Sequence, residues 1–147
     1  VDTIRRWRNG GKFDGKMLTE DQKHIYNIYQ RILTLCNKEK AITEGEFFDL
    51  MYANANGWRF NEHKQYTFLR KAGKELLFII VNFDHISVDV AINVPSHAFD
   101  FLQIPQMDVY PAVDLLTGKT ESISLLPYKA TEISVEGYSG KILKIKL

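Results

Sequence analysis

Between residues 20 and 37 the apolar positions fall at Ile25, Ile28, Tyr29, Ile32, Leu33, Leu35 and Cys36. This three-and-four spacing puts one apolar stripe on a helix. Thr19 stands where the helix would begin, with Gln22 three residues later, a pair able to cap two free backbone N–H groups reciprocally. Glu20 and Asp21 set negative charge against the positive end of the helix dipole, and Lys38 and Lys40 lie near the other end. The spacing predicts one amphipathic helix over 20–37, whose apolar face needs a neighbour. Residues 1–18 carry no such period. Gly10, Gly11 and Gly15 interrupt it, and Trp7 and Phe13 are its large apolar anchors, so an irregular, turn-rich approach segment is expected.

Beyond residue 40 the period falls to two. Residues 47–53 read as extended. Residues 66–70 and 75–83 flank a short loop containing Gly73, a hairpin signal, and 76–81 is continuously apolar, as a strand buried on both faces should be. Val88, Val90, Ile92 and Val94 alternate with polar or small residues until Pro95 ends the run. Residues 109–115 and 122–125 flank a loop with Gly118, and 131–135 and 141–147 flank one with Gly137 and Gly140, giving a second and a third predicted hairpin. Seven to eight short strands with frequent turns predict a mainly β fold. It is an antiparallel β-sandwich with Greek-key-like connections, preceded by the one α-helix. The organisation expected is an approach segment and helix over 1–40 and a sandwich over 41–147.

The chain of 147 residues is 45% apolar and 25% charged, ordinary for a globular domain large enough to need no staple. Its net charge of +1 argues against nucleic acid as a partner. The charge is uneven: residues 1–40 hold nine Lys and Arg against five Asp and Glu, read here as the solvated side of the helix. A single cysteine, Cys36, excludes an internal disulfide and reads as a small hydrophobe on the helix stripe. The longest apolar run is far too short to span a bilayer, so no membrane partner is expected and the chain is expected to be soluble. The compartment is left open. The chain opens on Val1 rather than Met, which leads to the expectation that the natural start lies upstream.

Candidate chemistry is sparse. His24, His63, His85 and His97 are scattered without metal-ligand spacing, and Gly10-Gly11 is not followed by the Gly-Lys-Ser/Thr of a phosphate loop. No Gly-x-Ser-x-Gly elbow is present. Asp49, Asp84, Asp89 and Asp114 lie in or beside strands, where turn capping is the ordinary role, and they form no acid–base pair. No catalytic residue and no metal ligand is therefore expected in the chain. Exposed aromatic rings can stack on sugars, and the candidates are Trp58, with Tyr52 and Phe60 nearby, and Tyr138. A tryptophan after a loop more often anchors a core or an interface.

Several runs in order are familiar. Residues 4–15, Ile-Arg-Arg-Trp-Arg-Asn-Gly-Gly-Lys-Phe-Asp-Gly, then 18–23, Leu-Thr-Glu-Asp-Gln-Lys, and 29–35, Tyr-Gln-Arg-Ile-Leu-Thr-Leu, resemble the end of the catalytic barrel in α-amylase family glycoside hydrolases. Lys40-Ala41-Ile42 and Gly45 through Leu50 resemble the entry to that family's all-β C-terminal domain. Asp114 through Gly118 resembles a later hairpin, and Tyr138 through Leu143 the closing strand.

The resemblance spans the whole chain. It implies a non-catalytic module whose partner is the (β/α)8 barrel of the same polypeptide, in an enzyme cleaving or rearranging α-linked glucans. The family's catalytic carboxylates lie on earlier barrel strands, and nothing here matches their motifs. Calcium, where the family binds it, is implied for barrel loops and not for this segment. The alternative is a glucan-binding module with an aromatic platform, and a third reading is a general protein-interaction sandwich.

Overall fold

The structure, a computed structural model, describes residues 2–147. It divides into two compact units, the first ending at Asn37 and the second running Lys38–Leu147.

The first unit contains helix α1 (Asp2–Arg8), a tight helical turn at Asn9–Gly11 and most of helix α2 (Glu20–Lys38). The capping box forms as expected. Thr19 N–H donates to Gln22 Oε1 at 3.1 Å, and Gln22 N–H donates to Thr19 Oγ1 at 3.3 Å. The approach segment is less irregular than predicted, because residues 2–8 precede its first glycine and close a helix. The irregular backbone is confined to the glycine-rich part, where Asn9, Gly10, Gly11, Phe13 and Gly15 all take positive φ. Trp7 and Phe13 meet edge to face at 5.0 Å. No residue of α2 is buried, Cys36 included.

The second unit is an antiparallel sandwich. A six-stranded sheet has the order β1-β2-β3-β8-β5-β6, and a two-stranded sheet pairs β4 with β7. The strands are β1 (Glu46–Asp49), β2 (Gln65–Ala72), β3 (Glu75–Asn82), β4 (Val88–Ile92), β5 (Met107–Asp114), β6 (Thr120–Leu125), β7 (Thr131–Val135) and β8 (Ser139–Lys146). Gly73 and Gly118 turn the β2–β3 and β5–β6 hairpins with φ of 56° and 78°, the left-handed conformation that glycine adopts without strain.

Side chains alternate across β3. Leu76, Phe78 and Ile80 point into the main core with Val90 and Ile92 of β4, Ile133 and Val135 of β7, and Leu143 and Ile145 of β8. Leu77 and Ile79 point the other way, onto Ala41 of the short helix α3 (Lys40–Thr43). Polar bonds hold α3 there. Arg70 donates to the carbonyls of Ala41 and Gly45, each at 2.7 Å, and Lys144 Nζ lies 2.6 Å from the buried Glu39.

Two local expectations are corrected, and one element is added. Residues 47–53 are not one strand: β1 stops at Asp49, whose carboxylate accepts from Met51 N–H at 3.0 Å and starts the helical turn α4 (Met51–Asn54). Asn54 is fully buried, because its side chain donates to the carbonyls of Leu50 and Asn93 and accepts from Asn93 N–H. The third hairpin does not pair. β7 bonds to β4 and β8 to β3 and β5, so the turn at Gly137 carries the chain from one sheet to the other. Finally, residues 96–102, which carried no prediction, form helix α5 (Ser96–Leu102), burying Ala98, Phe99 and Leu102.

Because β3 is covered on both faces, truncation on either side is expected to be costly. Phe78→Ala should lower stability by about 3–5 kcal/mol and Ile79→Ala by about 2–5 kcal/mol. Urea midpoints of the two variants check this, and an unchanged midpoint for Ile79→Ala would contradict burial of the outer face.

Candidate functional site

Two clefts adjoin at the start of β4. The larger, about 420 Å³, lies between Ser87–Asp89, Ser134 of β7, Lys141 of β8 and the β5–β6 turn at Thr117 and Lys119. The second, about 360 Å³, lies between Asp84 and the chain leading to β2, through Gly57, Arg59, Asn61 and Lys64. Val88 and Asp89 line both.

Most residues lining the clefts are polar or charged, and their charges are mostly paired. Lys141 Nζ sits 2.6 Å from Glu121. Asp114 Oδ2 accepts from Thr117 Oγ1 at 2.6 Å, and its Oδ1 accepts from Leu116 N–H, which makes it a turn cap. Ser134 Oγ donates to Asp89 Oδ1. Lys64 Nζ donates to the buried Asp84 at 2.7 Å, and His85 N–H donates to the same carboxylate at 2.8 Å. The Lys64 bond first, then the His85 N–H and the positive charge nearby, hold the Asp84 carboxyl below the usual carboxylate range. Neither cleft is lined by His or Cys. Among the described residues no group of three or more His, Cys, Asp or Glu is placed to hold a metal ion. The arrangement offers many hydrogen-bond donors and acceptors.

The three aromatic candidates fall in different places. Trp58 is 71% exposed, which excludes the core-anchor reading. It stands between Gly57 and Arg59, both lining the second cleft, with the Arg59 guanidinium 5.0 Å over its ring. Arg59 is itself tied down, donating to Asp89 O at 3.0 Å and lying 3.3 Å from Glu132. Tyr138 is 78% exposed and directly precedes Ser139 and Gly140, which line the first cleft. Tyr52 is not with them. On α4 it bonds His97 Nε2 of α5 and packs near Phe48, which also meets Phe101. Burial, then the Asp49 charge, push its phenol up. Phe60 is buried in the core.

Of the polar cleft residues, Arg59 and Ser134 carried no site signal in the sequence, and Asp89 reads there as a turn cap. Arg59 and Glu132 are 73 residues apart and Asp89 and Ser134 are 45 apart, so no local motif could have joined them.

Two apolar surfaces are also uncovered. On α2, Ile25, Ile28, Tyr29 and Leu33 are all exposed. On the outer face of the six-stranded sheet, α3 covers Leu77 and Ile79 but leaves Phe47, Tyr66 and Val113 largely open. Phe68 joins Phe47 and Tyr66 at ring distances of 5.3 and 5.7 Å. Among the described residues no helix is long and apolar enough to cross a membrane.

No protein-family profile and no curated protein matches the sequence. Solved structures do match. A noncanonic maltogenic alpha-amylase, AmyB, from Thermotoga neapolitana aligns with TM-score 0.65 at 14% identity, over 90% of this chain and 27% of that one. An alpha-amylase from Geobacillus thermoleovorans, complexed with acarbose, aligns with TM-score 0.60 at 12% identity, over 91% of this chain and 26% of that one. The trehalose-6-phosphate hydrolase TreA of Bacillus licheniformis gives 0.54 at 19% identity, over 89% and 20%. The chain thus shares a fold with part of these enzymes and spans about a quarter of their length.

The Asp84 pairing makes a pH prediction. A carboxyl lowered in the folded state adds stability that is complete above its unfolded value of about 3.9 and is lost as pH falls through the lower folded value. Asp84→Asn should therefore be less stable than the parent at neutral pH, and the gap should close below about pH 4. Urea midpoints from neutral pH into the acid range test it; a gap that stays constant with pH would remove the charge from the argument.

Proposed function

We propose that this chain is the non-catalytic C-terminal module of an α-amylase-like glycoside hydrolase acting on α-glucans, and that it stabilises the catalytic barrel. The observation that carries this reading is α2, a helix of 19 residues with a capped start, an amphipathic pattern and no buried residue. A helix with a continuous apolar face is stable in water only when that face is covered. In the proposed protein α2 is the last helix of a (β/α)8 barrel, and its face belongs to the barrel's outer ring. The open aromatic face of the six-stranded sheet is a second surface for the same neighbour. The fold shared with about a quarter of several amylases supports the assignment. The bonds cleaved in this reading are made and broken by carboxylates of the barrel, and the sandwich contributes buried area rather than chemistry.

The chain by itself is expected to release no reducing sugar from soluble starch and to self-associate through α2 in sedimentation velocity. Replacing Ile25, Tyr29 and Leu33 by Lys should leave the far-ultraviolet helix signal in place and abolish association. A native chain that stays monomeric, with an upstream reading frame encoding no barrel, would sink the proposal. With the barrel present, deleting the sandwich should lower the thermal midpoint of the enzyme by several degrees.

A further inference from the structure

We propose that the two clefts at the start of β4 form one groove that binds a neutral linear glucan, with Trp58 and Tyr138 as its stacking platforms. The groove follows from the connectivity of its walls. Gly57 and Arg59, on either side of Trp58, line one cleft, and Ser139, next to Tyr138, lines the other. Val88 and Asp89 belong to both. A ligand lying across that shared ridge meets two cavities in succession, which suits an oligomer rather than a single small molecule.

The two rings are 71% and 78% exposed, and the backbone beneath each is constrained. Arg59 stacks on the Trp58 indole while its guanidinium is anchored to Asp89 O and Glu132. The backbone beneath is forced into the left-handed region at Asn56 and Arg59, with φ of 58° and 57°. Tyr138 has φ of 48°, and its N–H donates to Asp84 O at 2.7 Å. Its neighbour Gly137 admits no side chain, since a Cβ there would lie 2.2 Å from His85 O. Strained backbone that presents an exposed ring is retained where the ring has a use. A fixed aromatic face loses little entropy when a pyranose ring stacks on it.

The polar lining selects the ligand. Asp89, Asp114, Glu121 and Glu136 outnumber Lys119 and Lys141 in the larger cleft, which disfavours anionic sugars and phosphates. In the smaller cleft Arg59 and Lys64 balance Asp84 and Asp89. What remains is a mixed field of donors and acceptors, matched by sugar hydroxyls that both donate and accept. The choice of α-linked glucose rests on the function proposed above; the groove does not.

The chain has two tryptophans, so a Trp7→Phe variant leaves Trp58 as the only indole. Titrating that variant with maltoheptaose, and in parallel with cellohexaose, should give a saturable change in its emission with the α-linked sugar. Calorimetry on otherwise native chains should then show affinity falling roughly ten-fold for Trp58→Ala and for Tyr138→Ala, while Tyr52→Ala binds as before. Circular dichroism of each variant establishes that it is folded. Saturable binding of cellohexaose alone would uphold the groove as a glucan site and overturn the α-linked assignment. No response to either sugar by the folded Trp7→Phe chain, or equal affinity in the Trp58→Ala chain, would overturn the groove while leaving the barrel-packing role to its own test.

Discussion

The second unit depends on one constraint: β3 is apolar on both faces and must be covered twice. Leu76, Phe78 and Ile80 require a second sheet, and β4 with β7 supplies it. Leu77 and Ile79 require cover on the opposite side, and α3 supplies part of it, pinned by Arg70 and Lys144. A helix of four residues cannot cover six strands. The open ring cluster of Phe47, Tyr66 and Phe68 is the remainder. In an ordinary sandwich the outer face of a sheet is polar; here it is aromatic, and apolar surface of that kind marks a place for a neighbour.

The same constraint places the candidate groove. For β4 and β7 to lie over the inner face of the larger sheet, the chain leaves that sheet after β3 and after β6 and returns to it before β5 and before β8. The first and last of these crossings, at residues 83–87 and 136–138, meet at one end of the sandwich. Asn82 ties them together, its side-chain amide donating to the carbonyls of Ile86 and Glu136. Asp84 and Tyr138 are held at that junction by a main-chain bond from Tyr138 N–H to Asp84 O. The clefts lie where the two sheets part at their ends; one bridging loop carries Tyr138, and the connection from α4 to β2 carries Trp58. Loops on a rigid scaffold are where binding surfaces are ordinarily built.

Much of this was legible in local pattern. The α2 period and its Thr19–Gln22 cap, the two-sided burial of β3, and the hairpins at Gly73 and Gly118 all follow from rules acting within a few residues. What failed also failed for local reasons. The Gly137 turn looks like a hairpin because a turn signal reports that the chain reverses, and β7 and β8 reverse across the core instead of within a sheet. Residues 47–53 look extended until Asp49 caps a helical turn, which the Asn54 side chain ties to the backbone of Asn93 just past β4. Of the proposed site, Trp58 and Tyr138 were visible as aromatics beside turns, while Tyr52, equally aromatic and equally near a loop, is engaged with His97 and stands apart.

By itself, then, the sequence determined helix α2, most of the strands, the apolar faces of both, and that the amphipathic helix needs a partner, because these depend on neighbours two to four positions away. The tertiary structure alone decided which strands share a sheet, which apolar faces stay uncovered, and that Arg59 meets Glu132 while Ser134 meets Asp89. Those outcomes depend on residues 45 to 73 positions apart, brought together when the two sheets close over Phe78.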